Sequence, residues 1–299
     1  MQKLRIANKP ADSLAPDEIL ETLLVEAGTA RELPTNEKKL LNFLGLEQLS
    51  FDFMHELDFL DTPSKPEGEL RAALHMGERV VATQAGMAEQ RKRFSMFHEI
   101  AHCVLPEHQL KLFVDTDKTL SMWTRIRLER EANKFAADLL FQGKLFAEQA
   151  LSLDTSLTTA LALAPKYGAS YEATLRRYAE THVLPCAVIV YDKVGQNEES
   201  YVEDDEYRIQ YTVSSVPFRK LYFSGGVSMS ADTCKASDIY SPHEFWSVGR
   251  VAEKELAITS QDKEKWRFET EVFSNGYKIF QFLKRPIKRA SHNQSAKIS

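Results

Sequence analysis

The sequence predicts an α+β chain, helical to about residue 184 and strand-rich beyond it. Three observations carry this. Apolar residues recur at i, i+3 and i+4 in several segments of the first part, the repeat of a helix with one buried stripe. From Pro185 onward they alternate with polar residues, the period of a strand. Between these patterns stands Phe94–Val104, FSMFHEIAHCV, an apolar run that holds His98, Glu99 and His102 at H-E-x-x-H spacing.

At 299 residues the chain exceeds the usual single domain, so two domains, or one with a substantial appendage, are expected. With 43% hydrophobic and 27% charged residues, the composition is that of an ordinary globular protein rather than a disordered or membrane one. No apolar run approaches the roughly 18 residues of a membrane-spanning helix. MQKLRIANKPADSL has no secretory-leader pattern, and Cys103, Cys186 and Cys234 are far apart and in no C-x-x-C pair. A cytoplasmic location with reduced thiols is expected. A net charge of −5 argues against nucleic-acid binding by the whole chain.

In order, Pro16, Asp17 and Glu18 open a helix whose stripe is Leu20, Leu23, Leu24 and Ala27. A second helix starts after Asn36, carries Leu40, Leu41 and Leu44, and stops at Gly45. Leu49, Phe51 and Phe53 alternate as in a strand, and Asp61 to Gly68 reads as a loop. Glu69 to Thr83 reads as a hairpin turning at Met76-Gly77-Glu78, with an edge suited to pairing with an extended peptide. Arg91, Lys92 and Arg93 read as a solvated basic patch before the motif helix. After a polar connection containing Asp115 and Asp117, a long helix is expected from about Thr124 to Phe146, with Leu128, Ala132, Phe135, Ala136 and Leu139 buried. Two shorter helices fill residues 156–183, broken at Pro165 to Ser170. Strands follow, with Glu203 to Glu206 as a solvated loop and Asn275-Gly276 as a hairpin turn.

On a helix, residues four apart share a face, so His98 and His102 can offer ring nitrogens to one metal ion while Glu99 leans over it. The motif has only three fixed positions and occurs by chance in on the order of a few per cent of chains this long. Its apolar surroundings sharpen it, because burying two imidazoles and a carboxylate without a partner costs several kcal/mol and a cation relieves that cost. The bland alternative is a pair of hydrogen-bonded core histidines. A catalytic zinc takes a third protein ligand and leaves one position for water. On the long helix Glu129 flanks the apolar stripe in a row with Asn133, Ala136 and Leu140, whereas Glu131 falls among Arg127, Lys134 and Asp138. Glu129 is therefore the expected ligand, with Glu131 the alternative. Asn133 is placed to steady a ligand histidine. One zinc ion per chain and peptide hydrolysis follow, with Glu99 the general base. His108 could line the same cleft but reads better as a surface residue, and Cys103 reads better as a core thiol than as a fourth ligand.

FSMFHEIAHCVLPEH together with EREANKFAADLL resembles the ImmA/IrrE family of metallopeptidases. Arg93-Phe94, His98, Glu99, His102, and Glu129 through Ala132, Asn133, Phe135 and Ala136 to Leu139-Leu140 all match that family's pattern, and the resemblance covers roughly residues 16–147. It implies a zincin-like, gluzincin-type peptidase domain. Beyond it, ALALAPKYGASYEATLRRYAETH followed by a strand is similar to the IrrE-type subset, which implies a helix-turn-helix-like segment and a GAF-like sensor domain. The implied activity is site-specific cleavage of a helix-turn-helix transcriptional repressor, relieving repression under stress or in mobile elements. The family commonly carries a proline soon after Leu-Leu; Phe141-Gln142-Gly143 stands here instead.

The expected organisation is a peptidase domain over residues 1–150, a helical hairpin over 151–184, a mainly antiparallel GAF-like domain over 185–289 and a tail over 290–299. The last domain could hold a small sensor ligand, whose chemistry the sequence does not name. Two other classes of function compete. A non-catalytic metal-binding adaptor has no need of Glu99. A DNA-binding regulator acting through residues 156–183 would use Arg176 and Arg177, but that helix pair is poor in basic residues and reads better as a packing pair or a platform for a protein substrate.

Overall fold

The computed structural model describes residues 5–6, 9–10, 14–53, 71–108, 122–194, 206–222, 234–235, 251–259 and 265–289. The loop expected at Asp61 to Gly68, Asp115 and Asp117, Glu203 to Asp205 and the tail over 290–299 lie outside them. The α+β class is borne out. The chain divides into two compact units, Met1–Phe146 with Ala164–Ser170, and Ala147–Leu163 with Tyr171–Ser299. Among the described residues no helix is long and apolar enough to cross a membrane.

The first unit begins with two short paired strands, β1 (Arg5–Ile6) and β2 (Lys9–Pro10), and then α1 (Pro16–Glu26). Glu18 accepts the Ala15 N–H at 2.8 Å, satisfying a donor that the helix start leaves open, and Ile19, Leu20, Leu23 and Leu24 are buried. In α2 (Glu37–Leu44) Asn36 caps the Lys39 N–H at 3.1 Å, and Gly45, at φ 62°, takes the left-handed conformation that ends the helix. β3 (Glu47–Phe51) runs parallel to β5 (Val80–Gln84), and β4 (Ala72–His75) runs antiparallel to β5 on the other side. The order β3-β5-β4 leaves β4 at an edge.

α3 (Glu89–Val104) carries the H-E-x-x-H residues, and α4 (Met122–Phe141) packs along it. Their apolar stripes meet: Met96, Phe97, Ile100, Ala101 and Val104 are buried on one helix, and Leu128, Ala132, Phe135, Ala136 and Leu139 on the other. The long helix stops at Phe141, earlier than its apolar pattern suggests. Gln142 and Gly143 take φ of 50° and 57°, and the Gly143 N–H bonds the Asp138 carbonyl at 2.9 Å, closing the helix end. α5 (Lys144–Leu151) follows at once.

A left-handed glutamine is strained, and its side chain shows what holds it there. Buried Gln142 donates to the carbonyls of Glu32 at 2.6 Å and Thr29 at 3.2 Å, while its amide oxygen accepts the Arg31 N–H at 2.7 Å. Thr35 adds a hydroxyl bond to the Leu139 carbonyl at 2.9 Å. The loop between α1 and α2 is thereby fastened to the end of α4. Phe141, Phe146 and Tyr167 stack beside this joint, with ring centroids 4.8–5.7 Å apart.

α6 (Leu157–Tyr167) and α7 (Tyr171–Thr181) flank Gly168, whose φ is 61°. The second unit is built on one antiparallel sheet of β6 (Ala187–Lys193), β7 (Glu206–Ser214), β8 (Cys234–Lys235), β9 (Ala252–Thr259), β10 (Lys265–Ser274) and β11 (Lys278–Arg289), in the order β8-β7-β6-β11-β10-β9. Glu206 thus begins a strand. β6 is central, and Ala187 through Val190 are buried on both faces. One face packs Ile189, Tyr191, Phe268, Val272 and Ile279 with Phe218 of α8 (Val216–Tyr222). On the other, Phe282 meets Tyr178 of α7 at 5.9 Å. A register shift beside Val190 and Tyr191 lets Tyr207 join the first face while Tyr211 bonds Glu172 of α7. The β10–β11 turn is Asn275-Gly276 as read, with Gly276 at φ 88°.

Replacing Gln142 with Ala removes its bonds to the Glu32 and Thr29 carbonyls and to the Arg31 N–H. We expect a loss of about 1–3 kcal/mol in urea unfolding. An unfolding midpoint equal to wild type would show that Gln142 does not hold the loop.

Candidate metal centre

α3 sets His98 and His102 one turn apart, and their Nε2 atoms stand 3.0 Å from each other. The packing of α4 brings Glu129 to the same point, with Oε2 at 3.2 Å from His98 Nε2 and Oε1 at 3.6 Å from His102 Nε2. One ligand atom from each of the three residues lies within 4.8 Å of the others. Around a tetrahedral zinc with bonds of 2.0–2.1 Å, neighbouring ligand atoms are about 3.3 Å apart. The separations of 3.0–3.6 Å between these side chains are close to that spacing.

Proton positions agree with that fit. His98 Nδ1 lies 3.2 Å from the Asn133 side-chain oxygen. An amide oxygen can only accept, so Nδ1 carries a proton; when His98 is charged its Nε2–H donates to Glu129, and when it is neutral Nε2 keeps a lone pair toward His102 and Glu129. The charge balance is uneven. Burial pulls His98 down, but the Glu129 hydrogen bond and the Glu99 and Glu129 carboxylates hold its pKa above the ordinary imidazole value. Burial and the neighbouring His98 charge push His102 down to about 4. The bond from His98 keeps the Glu129 carboxyl below its usual value. A cation held here would compete with a proton on His98.

Glu99 is not among these three residues. It faces the same cleft, about 570 Å³ in volume, which Leu74, Phe94 and Asn133 also line. Burial raises its carboxyl to about 7, and the Leu74 N–H of edge strand β4 bonds it. A carboxylate poised there can take and return a proton near neutrality.

Glu131 and His108 stand behind His102. Glu131 pairs with Arg127 at 2.9 Å, as the charged row on α4 predicts, but its other oxygen lies 3.3 Å from His108 Nε2. His108, expected at the surface, is buried, and its Nδ1 is 2.9 Å from His102 Nδ1. Leu105-Pro106 folds the chain back after α3, with the His108 N–H on the Leu105 carbonyl at 3.1 Å. A His six residues past His102, two after a proline, was the available signal. Cys103 is a buried thiol, as read.

The basic patch also needs correction. Arg93 is buried, donating to the Thr35 carbonyl at 2.6 Å, pairing with Glu37 and lying 5.3 Å over the Phe97 ring. Gly168 closes on it: a Cβ there would meet Arg93 Nε at 3.0 Å. Arg93 thus fixes the rotation of α3, and with it the direction in which His98 and His102 point.

Residues 52–178 match the family model Peptidase_M78, the IrrE N-terminal-like domain. That stretch is similar to an IrrE N-terminal-like domain and contains both motifs on which the resemblance rests. Among solved structures the chain is similar to a "Mycobacterium tuberculosis transcriptional regulator", with 14% identity and a TM-score of 0.49 over 91% of this chain and 88% of that one. No curated protein matches the chain.

Arg93→Ala should destabilise the protein by about 3–5 kcal/mol, because it leaves the half-buried Glu37 without its ion-pair partner. Arg93→Met with Glu37→Leu should regain most of that in the same unfolding measurement. A double variant as unstable as the single one would show that charge is not the cause.

Proposed function

We propose that this chain is a zinc-dependent, site-specific endopeptidase that cuts a protein regulator, a helix-turn-helix transcriptional repressor being the preferred substrate. The observation that carries the reading is the convergence of His98, His102 and Glu129 on one point beside Glu99. The match to a peptidase family over residues 52–178 supports it.

In this reading His98, His102 and Glu129 hold one zinc ion per chain, and Asn133 steadies His98. Zinc supplies Lewis acidity and brings the pKa of water toward neutrality. Glu99 takes the proton from the attacking water and passes it to the departing amine, so one carboxyl serves both half-steps. The backbone of Leu74 beside that carboxyl favours its charged form. β4 lies at the sheet edge beside it, and an extended substrate can add there as a further strand. The fold proposed for this part is a gluzincin-type zincin.

We propose the organisation read from the sequence: peptidase domain 1–150, helix-turn-helix-like segment 151–184, GAF-like sensor domain 185–289 and a tail. The sensor role has a candidate place in a cleft of about 700 Å³ lined by Arg176, Tyr211, Ser214 and Arg219. Arg176 is paired with Glu180 at 3.0 Å, which weakens the case for that helix as a DNA reader. A cytoplasmic site of action suits the buried free thiols Cys103 and Cys186. Retention of Glu99 favours an enzyme over a metal-binding adaptor.

Metal analysis should give about one zinc per chain in wild type and in Glu99→Gln, and little in Glu129→Ala. Wild type should cut the helix-turn-helix protein encoded beside its gene, and Glu99→Gln should not. Cleavage that survives Glu99→Gln would sink the mechanism. Full zinc in Glu129→Ala with loss in Glu131→Ala would move the third ligand to Glu131.

A further inference from the structure

We infer that His108 and Glu131 form a polarised hydrogen-bond chain that fixes the tautomer of His102, making both of them positioning residues for the metal. The inference rests on the reading that His98, His102 and Glu129 hold zinc, and it gives Glu131 a role other than the ligand role open to it in the sequence.

The direction of the chain follows from its ends. Glu131 is a carboxylate and can only accept, so the proton in the 3.3 Å contact belongs to His108 Nε2. Neutral His108 then has a lone pair at Nδ1. In the 2.9 Å contact between the two Nδ1 atoms the proton must come from His102. With Nδ1–H engaged, His102 keeps its Nε2 lone pair for the point it shares with His98 Nε2, 3.0 Å away. The reverse polarity would face a His108 lone pair against the Glu131 carboxylate. Arg127 holds the other Glu131 oxygen at 2.9 Å and is itself held by Glu107 at 2.6 Å, which turns Oε2 toward His108. His108 has almost no freedom to leave, with its side chain only 1% exposed.

Each ligand histidine thus has its own acceptor: the Asn133 oxygen for His98, and His108 backed by Glu131 for His102. Such outer partners orient the ring, fix its tautomer and raise its basicity, and losing one weakens metal binding about 10–100-fold.

The test is zinc affinity of the full chain, measured against a chromophoric chelator, together with imidazole ¹⁵N spectra of the zinc-loaded protein. His108→Ala should lose about 10–100-fold in affinity. His108→Asn, whose amide oxygen can stand near the lost Nδ1 and accept from His102, should recover most of it. Glu131→Ala should cost several-fold in wild type and nothing further in His108→Ala, because Glu131 acts only through His108. His102 should show the Nδ1–H tautomer in wild type and a mixture or broadening in His108→Ala. Affinities within twofold of wild type in both single variants, or losses that multiply in the double variant, overturn the chain. A loss in Glu131→Ala as complete as in Glu129→Ala would make Glu131 a ligand and also overturn it. Wild type that binds no zinc removes the underlying reading, whereas wild type that binds while His108→Ala binds equally removes only the chain. If circular dichroism shows His108→Ala unfolded, His108→Asn and Glu131→Ala decide the matter.

Discussion

Three groups that naturally accept protons or cations, two imidazole nitrogens and a carboxylate, are held within hydrogen-bonding distance of a single point. Left to themselves they would swing toward water or toward other donors. The structure prevents this by packing α3 on α4 through a continuous apolar seam and by tying the far side of each ring. Asn133 stands behind His98, and His108 stands behind His102. The cost of gathering these groups is met by the seam, in which small residues such as Ala101, Ala132 and Ala136 let the helices approach closely.

The seam in turn needs α3 and α4 to be correctly placed in space, and each is anchored by one long polar side chain at a position outside the site. Arg93 ties α3 to Thr35 and Glu37, next to Gly168. Gln142 ties the end of α4 to residues 29–32 of the same loop region, and Thr35 adds its own bond to α4. Both helices are therefore indexed against the short connection between α1 and α2. This explains why Phe141-Gln142-Gly143 can replace a proline after the long helix. A left-handed pair ends the helix, and the glutamine uses the exposed helix end to hold a loop.

Local readings of the sequence succeeded where the physical cause is local. The caps at Asn36 and Gly45, the hairpin turns at 76–78 and 275–276, and the buried stripe of α4 depend on a few neighbouring residues and on periodicity. They failed where a side chain's fate depends on distant partners. Arg93 looked like part of a basic patch because Arg91 and Lys92 precede it, and nothing within the helix reveals Glu37. The long helix was read too far because Leu145 and Phe146 continue the apolar pattern past Gly143. His108 looked exposed because its partners, His102 and Glu131, are brought to it by a turn and by another helix.

The sequence by itself determined the α+β class, most elements, and the pairing of His98 with His102 beside Glu99, because helical spacing alone puts residues four apart on one face. Of the two carboxylates, only Glu129 borders the apolar stripe, and it is the one that lies beside His98 and His102. The tertiary structure decided how far apart the groups stand, which oxygen and nitrogen atoms face each other, and which way the protons must lie. Those facts belong to contacts between segments tens of residues apart, and a hydrogen bond's direction is fixed only when both of its ends are known.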